Sequence, residues 1–177
     1  MYSVVDTHSH LFVEDFDTDR HEVMLRAREV GVKHIFMPNI DLASVEPMLK
    51  VCAEYPDFCS PMLGLHPTEV KPTYREDLTQ LKTLLDQHPF AAIGEVGLDL
   101  YWDKTYKNEQ IAALEEQIGW ALERNLPLVI HSREAFEAGS SVLPTPDQCP
   151  HWPVSNGPAQ PSRVPAPEPT CRLLSQV

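Results

Sequence analysis

A chain of 177 residues with 42% hydrophobic and 23% charged side chains holds enough apolar material for one ordinary globular domain and too little for two separate ones, which argues against disorder throughout. Its 26 acidic residues outnumber 14 basic ones for a formal net charge of −12, and no stretch of Lys or Arg is dense enough to hold a polyanion by bulk charge. No apolar run approaches the roughly 18 residues needed to cross a bilayer, and the segment Met1–Asp6 has neither a basic n-region nor a signal core, so a cytoplasmic protein without a membrane partner is expected.

Tyr2–Asp6 reads as a first strand, followed by a helix over Arg20–Val30 that stops before Gly31, a residue suited to positive φ. Lys33–Met37 is a second strand, and a helix capped by Asp41 or Ser44 places Val45, Met48, Leu49 and Cys52 at helical spacing. A third strand at Ser60–Leu65 precedes a helix over Tyr74–Gln87 with Leu78, Leu81, Leu84 and Leu85 on one side. Phe90–Gly94 is a fourth strand, and a long helix from about Thr105 to Arg124 carries Ile111, Leu114, Ile118, Ala121 and Leu122 as its stripe. Leu126–Ile130 is the fifth strand. All five are nearly continuously apolar, as strands covered on both faces of a parallel sheet should be. The fold class is therefore α/β, about five βα units, and periodicity leaves open whether they wind as a doubly wound sheet or as part of a (β/α)8 barrel. No GxGxxG or GxxxxGK[ST] follows the first strand, so Rossmann or P-loop nucleotide binding has no support.

The composition breaks near Gly139. Nine of the 17 prolines fall in residues 140–177 with only four charges, Asp147, Arg163, Glu168 and Arg172. Proline at that density removes backbone donors and forbids helix, so two regions are expected: an ordered part at 1–138 and an irregular or disordered tail at 139–177. Cys52, Cys59, Cys149 and Cys171 form no CxxC pair and are expected as ordinary reduced thiols.

Polar residues of catalytic type stand at the strand ends: Asp6-Thr7-His8-Ser9-His10, Pro38-Asn39, His66-Pro67, Glu95 to Asp99, and His131-Ser132-Arg133. In a parallel sheet these ends share one face, where imidazoles and carboxylates suit zinc, manganese or magnesium. His8 and His10, two apart on an extended segment, point to the same side and can chelate one cation; the alternative is a polar turn. Glu95 after Ala91-Ala92-Ile93-Gly94 would be costly to bury without a cation, unless it caps a turn. His131 follows Leu128-Val129-Ile130 and either binds a cation or hydrogen-bonds a carbonyl in the core. His66 and Asp99 are candidates for substrate or ligand-orienting contacts, or turn residues, and Arg133 offers a fork to a phosphate oxygen or an ion pair to Glu134.

Four segments in order, Asp6-Thr7-His8-Ser9-His10-Leu11, Gly64-Leu65-His66-Pro67, Gly94-Glu95-Val96-Gly97-Leu98-Asp99 and Pro127-Leu128-Val129-Ile130-His131-Ser132-Arg133, resemble the signatures of the TatD-type metal-dependent hydrolases. The resemblance covers roughly residues 1–138. It implies a partial TIM-barrel-like fold, two divalent metal ions, and hydrolysis of phosphodiester bonds in DNA. It further implies that His8 and His10 bind one metal, that Glu95 bridges two and is the catalytic carboxylate, and that His131 binds the second. The family pattern continues with a His-Cys/Ser-Phe-Ser/Thr-Gly motif and a Glu-Thr-Asp motif, neither of which occurs here; His151-Trp152-Pro153 lacks the context of a ligand. The abrupt change after Ala138 reads as a frameshift, a sequencing error or a truncated gene. Two other functions remain on the table: an amidohydrolase-like enzyme acting on a small ester, amide or phosphoester, since HxH after a first strand is shared among metal-dependent barrels, and a catalytically impaired fragment that only binds metal.

Overall fold

The computed structural model describes residues 3–143 and the backbone of 173–176. Its strands are β1 (Val4–Asp6), β2 (Val32–Pro38), β3 (Cys59–Leu63), β4 (Ala92–Asp99), β5 (Leu128–Arg133) and β6 (Leu173–Gln176). All neighbours are parallel and the order is β1-β2-β3-β4-β5-β6. A doubly wound sheet reverses its order at a switch point. This one advances in a single direction, the progression of a (β/α)8 barrel carried part of the way round.

The crossovers are α1 (Arg20–Glu29), α2 (Val45–Glu54), α3 (Tyr74–Gln87) and α4 (Lys107–Arg124), and α5 (Phe136–Ser140) follows β5. Helix α3 buries Tyr74, Leu78, Leu81 and Leu85 on one face, and α4 buries Ala113, Leu114, Ile118, Trp120 and Ala121. Helix α4 ends where Asn125 turns to φ 51°, a left-handed cap that Asn tolerates better than most residues, two residues before Pro127.

Strand alternation sorts the sheet into two faces. Ile35, Met37, Leu63, Ile93, Val96, Leu128 and Ile130 join the main core with the helices. Met62, Ala92 and Val129, with Phe36 against them, form a smaller cluster. On β5 the residues of the second set continue Val129, His131, Arg133, so the alternation that buries Leu128 and Ile130 sends His131 to the face away from the helices. Strand β4 needs a correction to do the same. Ile93 pairs with Leu128 and Val96 with Ile130, three residues against two, so a bulge lies between them. The extra residue lets both Ile93 and Val96 face the main core and turns Glu95, Gly97 and Asp99 to the side of His131.

Strands β4 and β5 run further than their apolar stretches predict, to Asp99 and Arg133, so Glu95 and His131 sit within strands instead of in the loops after them. The tail expected to be irregular contributes β6, paired parallel with β5 from Leu128↔Leu173 to His131↔Gln176. That segment follows the last proline, Pro169, so each of its residues keeps the amide proton a strand requires. Helix α5 crosses the boundary expected at 138/139, and Val142 and Leu143 pack against the main core. Residues 144–172, with His151 and Cys149 and Cys171 among the positions read above, lie outside the described residues. Cys52 and Cys59 are buried free thiols, and burial pushes them up to about 12 and about 11 respectively, which leaves them protonated and inert.

Candidate metal centre

The chain after β1 stays extended beside β2, because the Ser9 amide donates to the Phe36 carbonyl at 3.1 Å. Leu11 and Phe12 then anchor it in the core, and the Arg20 guanidinium on α1 donates to the Leu11 carbonyl at 2.6 Å and the Val13 carbonyl at 3.2 Å. His10 Nδ1 lies 3.0 Å from the Pro38 carbonyl oxygen. A carbonyl only accepts, so Nδ1 carries the proton and Nε2 turns a bare lone pair inward. His8 Nε2 is 3.1 Å from His10 Nε2 and 3.1 Å from Glu95 Oε2.

Glu95 is buried and uses both oxygens. Oε2 faces His8 at 3.1 Å and His66 Nε2 at 3.7 Å, while Oε1 is 3.0 Å from His131 Nδ1. The other ring nitrogen of His131 meets Asp99 Oδ2 at 3.0 Å. His66 enters from the loop after β3, held in place by Thr68, whose Oγ1 is 2.7 Å from His66 Nδ1. Residues from β1, β3, β4 and β5 thus converge on one carboxylate. Asp99 backs His131, as a carboxylate does that sets the tautomer of a metal-binding imidazole.

Electrostatics sort these groups. Burial disfavours the charged form of Glu95, but hydrogen bonds from His131 and His8 outweigh it and hold the carboxyl well below the usual range. Burial pushes His66 down to about 4, and burial with the neighbouring His8 lowers His10, so both stay neutral with lone pairs available. His131 moves the other way: burial opposes its charge, yet the hydrogen bonds to Glu95 and Asp99 prevail and raise it above 6.5. A neutral His131 would aim one bare nitrogen at a carboxylate oxygen 3.0 Å away, an arrangement that requires either a second proton or a cation.

The donor set therefore fits divalent cations. Among the described residues two groups could each hold one: His8, His10 and Glu95, and His66, Glu95 and His131, with Glu95 common to both. His8, His10, Glu95 and His131, read from sequence as ligands, are brought together, and His66 joins them as a third donor for the second group. A pH dependence follows. The raised His131 contributes stability as imidazolium below pH 6.5 that is lost as pH rises through its folded value. A cation must displace that proton. Calorimetric titration with Mn2+ in buffers of different ionisation enthalpy is expected to show proton release on loading the His66, Glu95 and His131 group, decreasing as pH rises through the raised His131 value, with affinity falling as pH drops.

Three amide-bearing side chains position the site: Asn39, noted in sequence only as a polar strand end, and Gln110 and Gln117, which escaped the sequence reading because they are uncharged. Asn39, fully buried at the end of β2, accepts from the Gly64 amide at 2.7 Å and donates to the carbonyls of Gly64 and Asp41 at 2.8 and 2.9 Å, fixing the loop that carries His66. Gln117 on α4 accepts from the Leu65 amide at 2.7 Å, and Gln110 clasps the Asp99 backbone through its amide at 3.0 Å and its carbonyl at 3.2 Å. Buried glutamines at i and i+7 of an otherwise apolar helix face were the available signal. Asn39→Ala strands two backbone carbonyls and an amide in the interior and is expected to destabilise by about 2–4 kcal/mol, measured by denaturant unfolding, with cation affinity lowered through His66.

Arg133 does not enter the cluster. It is exposed, and its guanidinium stacks over Tyr101 at 4.1 Å and Trp102 at 5.4 Å from the ring centroids. The alternative read from sequence, an ion pair with Glu134 or another acidic neighbour, does not form among the described residues.

Comparison with known proteins identifies the family. The family model described as TatD related DNase matches residues 5–149. The chain belongs to that family. Among relatives, it is 38% identical over 138 residues to the metal-dependent hydrolase YabD of Bacillus subtilis, covering 78% of this chain and 54% of that protein. It is 32% identical over 128 residues to the 3'-5' ssDNA/RNA exonuclease TatD of Erwinia tasmaniensis, covering 72% and 49%. The crystal structure of the TatD homologue YjjV from Escherichia coli superposes with a TM-score of 0.72 at 30% identity, covering 77% of this chain and 53% of that one. The chain spans about half the length of the curated relatives it matches. The HxH segment, the strand glutamate and the strand-five histidine that the TatD resemblance singled out are gathered here within one cluster.

Proposed function

We propose that the chain is a hydrolase of phosphodiester bonds in DNA that works with two divalent cations, Mg2+, Mn2+ or Zn2+. The observation that carries this reading is the use of both Glu95 oxygens, one toward His8 and His66 and the other toward His131, so that one carboxylate belongs to both donor groups. His8, His10 and Glu95 would hold one cation; Glu95, His66 and His131 the other, with Asp99 keeping the His131 proton on the nitrogen that faces it. Such cations, when bound, polarise a phosphoryl oxygen and lower the pKa of a water enough to make it a nucleophile at neutral pH. The protein's own contribution is the placing of four imidazoles, three of them bonded on their outer side or backed by a carboxylate, around a carboxylate that stays ionised.

The clustered cations would also resolve the conflict between a net charge of −12 and a polyanionic substrate, because charge is neutralised locally. That a relative is named a 3'-5' ssDNA/RNA exonuclease supports a nucleic-acid substrate. Every residue of the proposed site lies within 1–138, the unit to which we assign the activity. Cys52 and Cys59 as free thiols suit a reducing, cytoplasmic setting. Among the described residues no helix is long and apolar enough to cross a membrane.

The test compares turnover of a single-stranded oligonucleotide with that of small esters and amides, in each of the three cations and in chelator. Cation-dependent release of nucleotides supports the proposal. Turnover confined to esters or amides would move the chain to the amidohydrolase-like alternative, and no turnover with bound metal would leave a metal-binding fragment.

A further inference from the structure

The loop after β4 exposes two large aromatic rings. Trp102 is 73% and Tyr101 47% exposed, their rings meet edge to face with centroids 4.7 Å apart, and the Arg133 guanidinium lies over both. In a chain of net charge −12, that guanidinium forms no ion pair among the described residues. The stacking and edge-to-face contacts are worth little at an exposed site, while large apolar surface and a cation without a counter-charge stay in water.

Their location is tied to the cluster. The Tyr101 amide donates to Asp99 Oδ1 at 3.1 Å, and the other oxygen of the same carboxylate meets His131. The Leu100 amide donates to the Arg133 carbonyl at 2.9 Å, and Leu100 itself is buried. Arg133 stands two residues beyond His131 on β5, and alternation puts both side chains on one face of the strand. The aromatic pair is thus held at the rim of the site by bonds to residues that line it.

We infer that Tyr101, Trp102 and Arg133 form a stacking platform for an unpaired nucleobase of the strand whose phosphate enters the Glu95 cluster. The inference rests on the nuclease reading above and deepens it to single strands. Trp and Tyr faces stack on any base without reading its edge, and a guanidinium plane adds cation–π attraction and a fork for the neighbouring phosphate. Bases in a duplex are paired and stacked on one another, so the platform selects against duplexes.

The experiment measures binding by fluorescence anisotropy, in Mg2+, of a labelled thymidine homopolymer and of an abasic strand of equal length, both with phosphorothioate linkages so that nothing is cleaved. Trp102→Ala is expected to weaken binding of the base-bearing strand by about tenfold or more and to leave the abasic strand unaffected, and Trp102→Phe to restore most of the loss. Equal binding of the base-bearing strand by wild type and Trp102→Ala, or equal losses on both strands, overturns the platform. Absence of binding by wild type does so too. Hydrolysis of the unmodified base-bearing strand by wild type in Mn2+ is scored separately: if it fails while base-dependent binding through Trp102 persists, the nuclease reading falls and the platform stands.

Discussion

Glu95→Gln is expected to lower hydrolysis by at least roughly 100-fold and to reduce bound metal, because loss of even an outer partner of a metal ligand costs about 10–100-fold and Glu95 is the donor common to both groups. The substitution keeps volume and shape, so packing is little disturbed. What changes is charge and bonding capacity. Glutamine carries no negative charge to hold cations, and its amide nitrogen places hydrogens against His8 and His66 or against His131, whichever way it turns. His131 loses one of the two bonds that raise its pKa. Metal content and turnover on a single-stranded oligonucleotide are the readouts, with the circular-dichroism melt as a control for folding. A variant that retains wild-type turnover and metal would show that the carboxylate has no part in the chemistry.

Gly97→Ala is expected to be the more damaging change to stability. At φ +145° Gly97 occupies backbone space that L side chains rarely adopt, and a Cβ there would lie 2.0 Å from the His131 carbonyl oxygen. The contact is with backbone of the neighbouring strand, so no side-chain rotation relieves it. Strain of about 1–3 kcal/mol adds to overpacking of about 1–3 kcal/mol, and the sum takes a large share of the roughly 5–15 kcal/mol that holds a domain folded. Relief requires β4 and β5 to separate at the pair Gly97↔His131, which also pulls His131 from Glu95. Gly119 is the internal control. It is exposed on α4 with nothing within 4 Å of an added Cβ, so Gly119→Ala is expected to stabilise by about 0.5–1 kcal/mol. Denaturant unfolding of both variants checks the pair of signs, and a Gly97→Ala protein as stable as wild type would refute the close approach.

Much of this was legible from residue order. The apolar runs marked five parallel strands within a few residues of their observed places, the leucine stripe of Tyr74–Gln87 marked α3 with the bounds it has, and HxH after the first strand marked two imidazoles that meet in the Glu95 cluster. The direction of winding was not legible. Both a doubly wound sheet and a barrel use the same alternation, and only the hydrogen-bonded order of the strands separates them. Strand ends were short by several residues at β4 because Glu95 and Asp99 look like loop residues, whereas their neighbours across β5 and in α4 satisfy them inside the sheet.

The sequence alone determined which chemistry was at hand: imidazoles and carboxylates after apolar strands, in an order that resembles one hydrolase family. Tertiary structure decided how those groups are used. The bulge between Ile93 and Val96 turns Glu95 away from the helices, Asn39 and Gln117 fix the loop that brings His66 in, and Gln110 holds the backbone of Asp99 at the end of β4. A side chain's type is local, but its aim depends on register between strands far apart in the chain, and register is set by packing and hydrogen bonds that exist only once the sheet has formed.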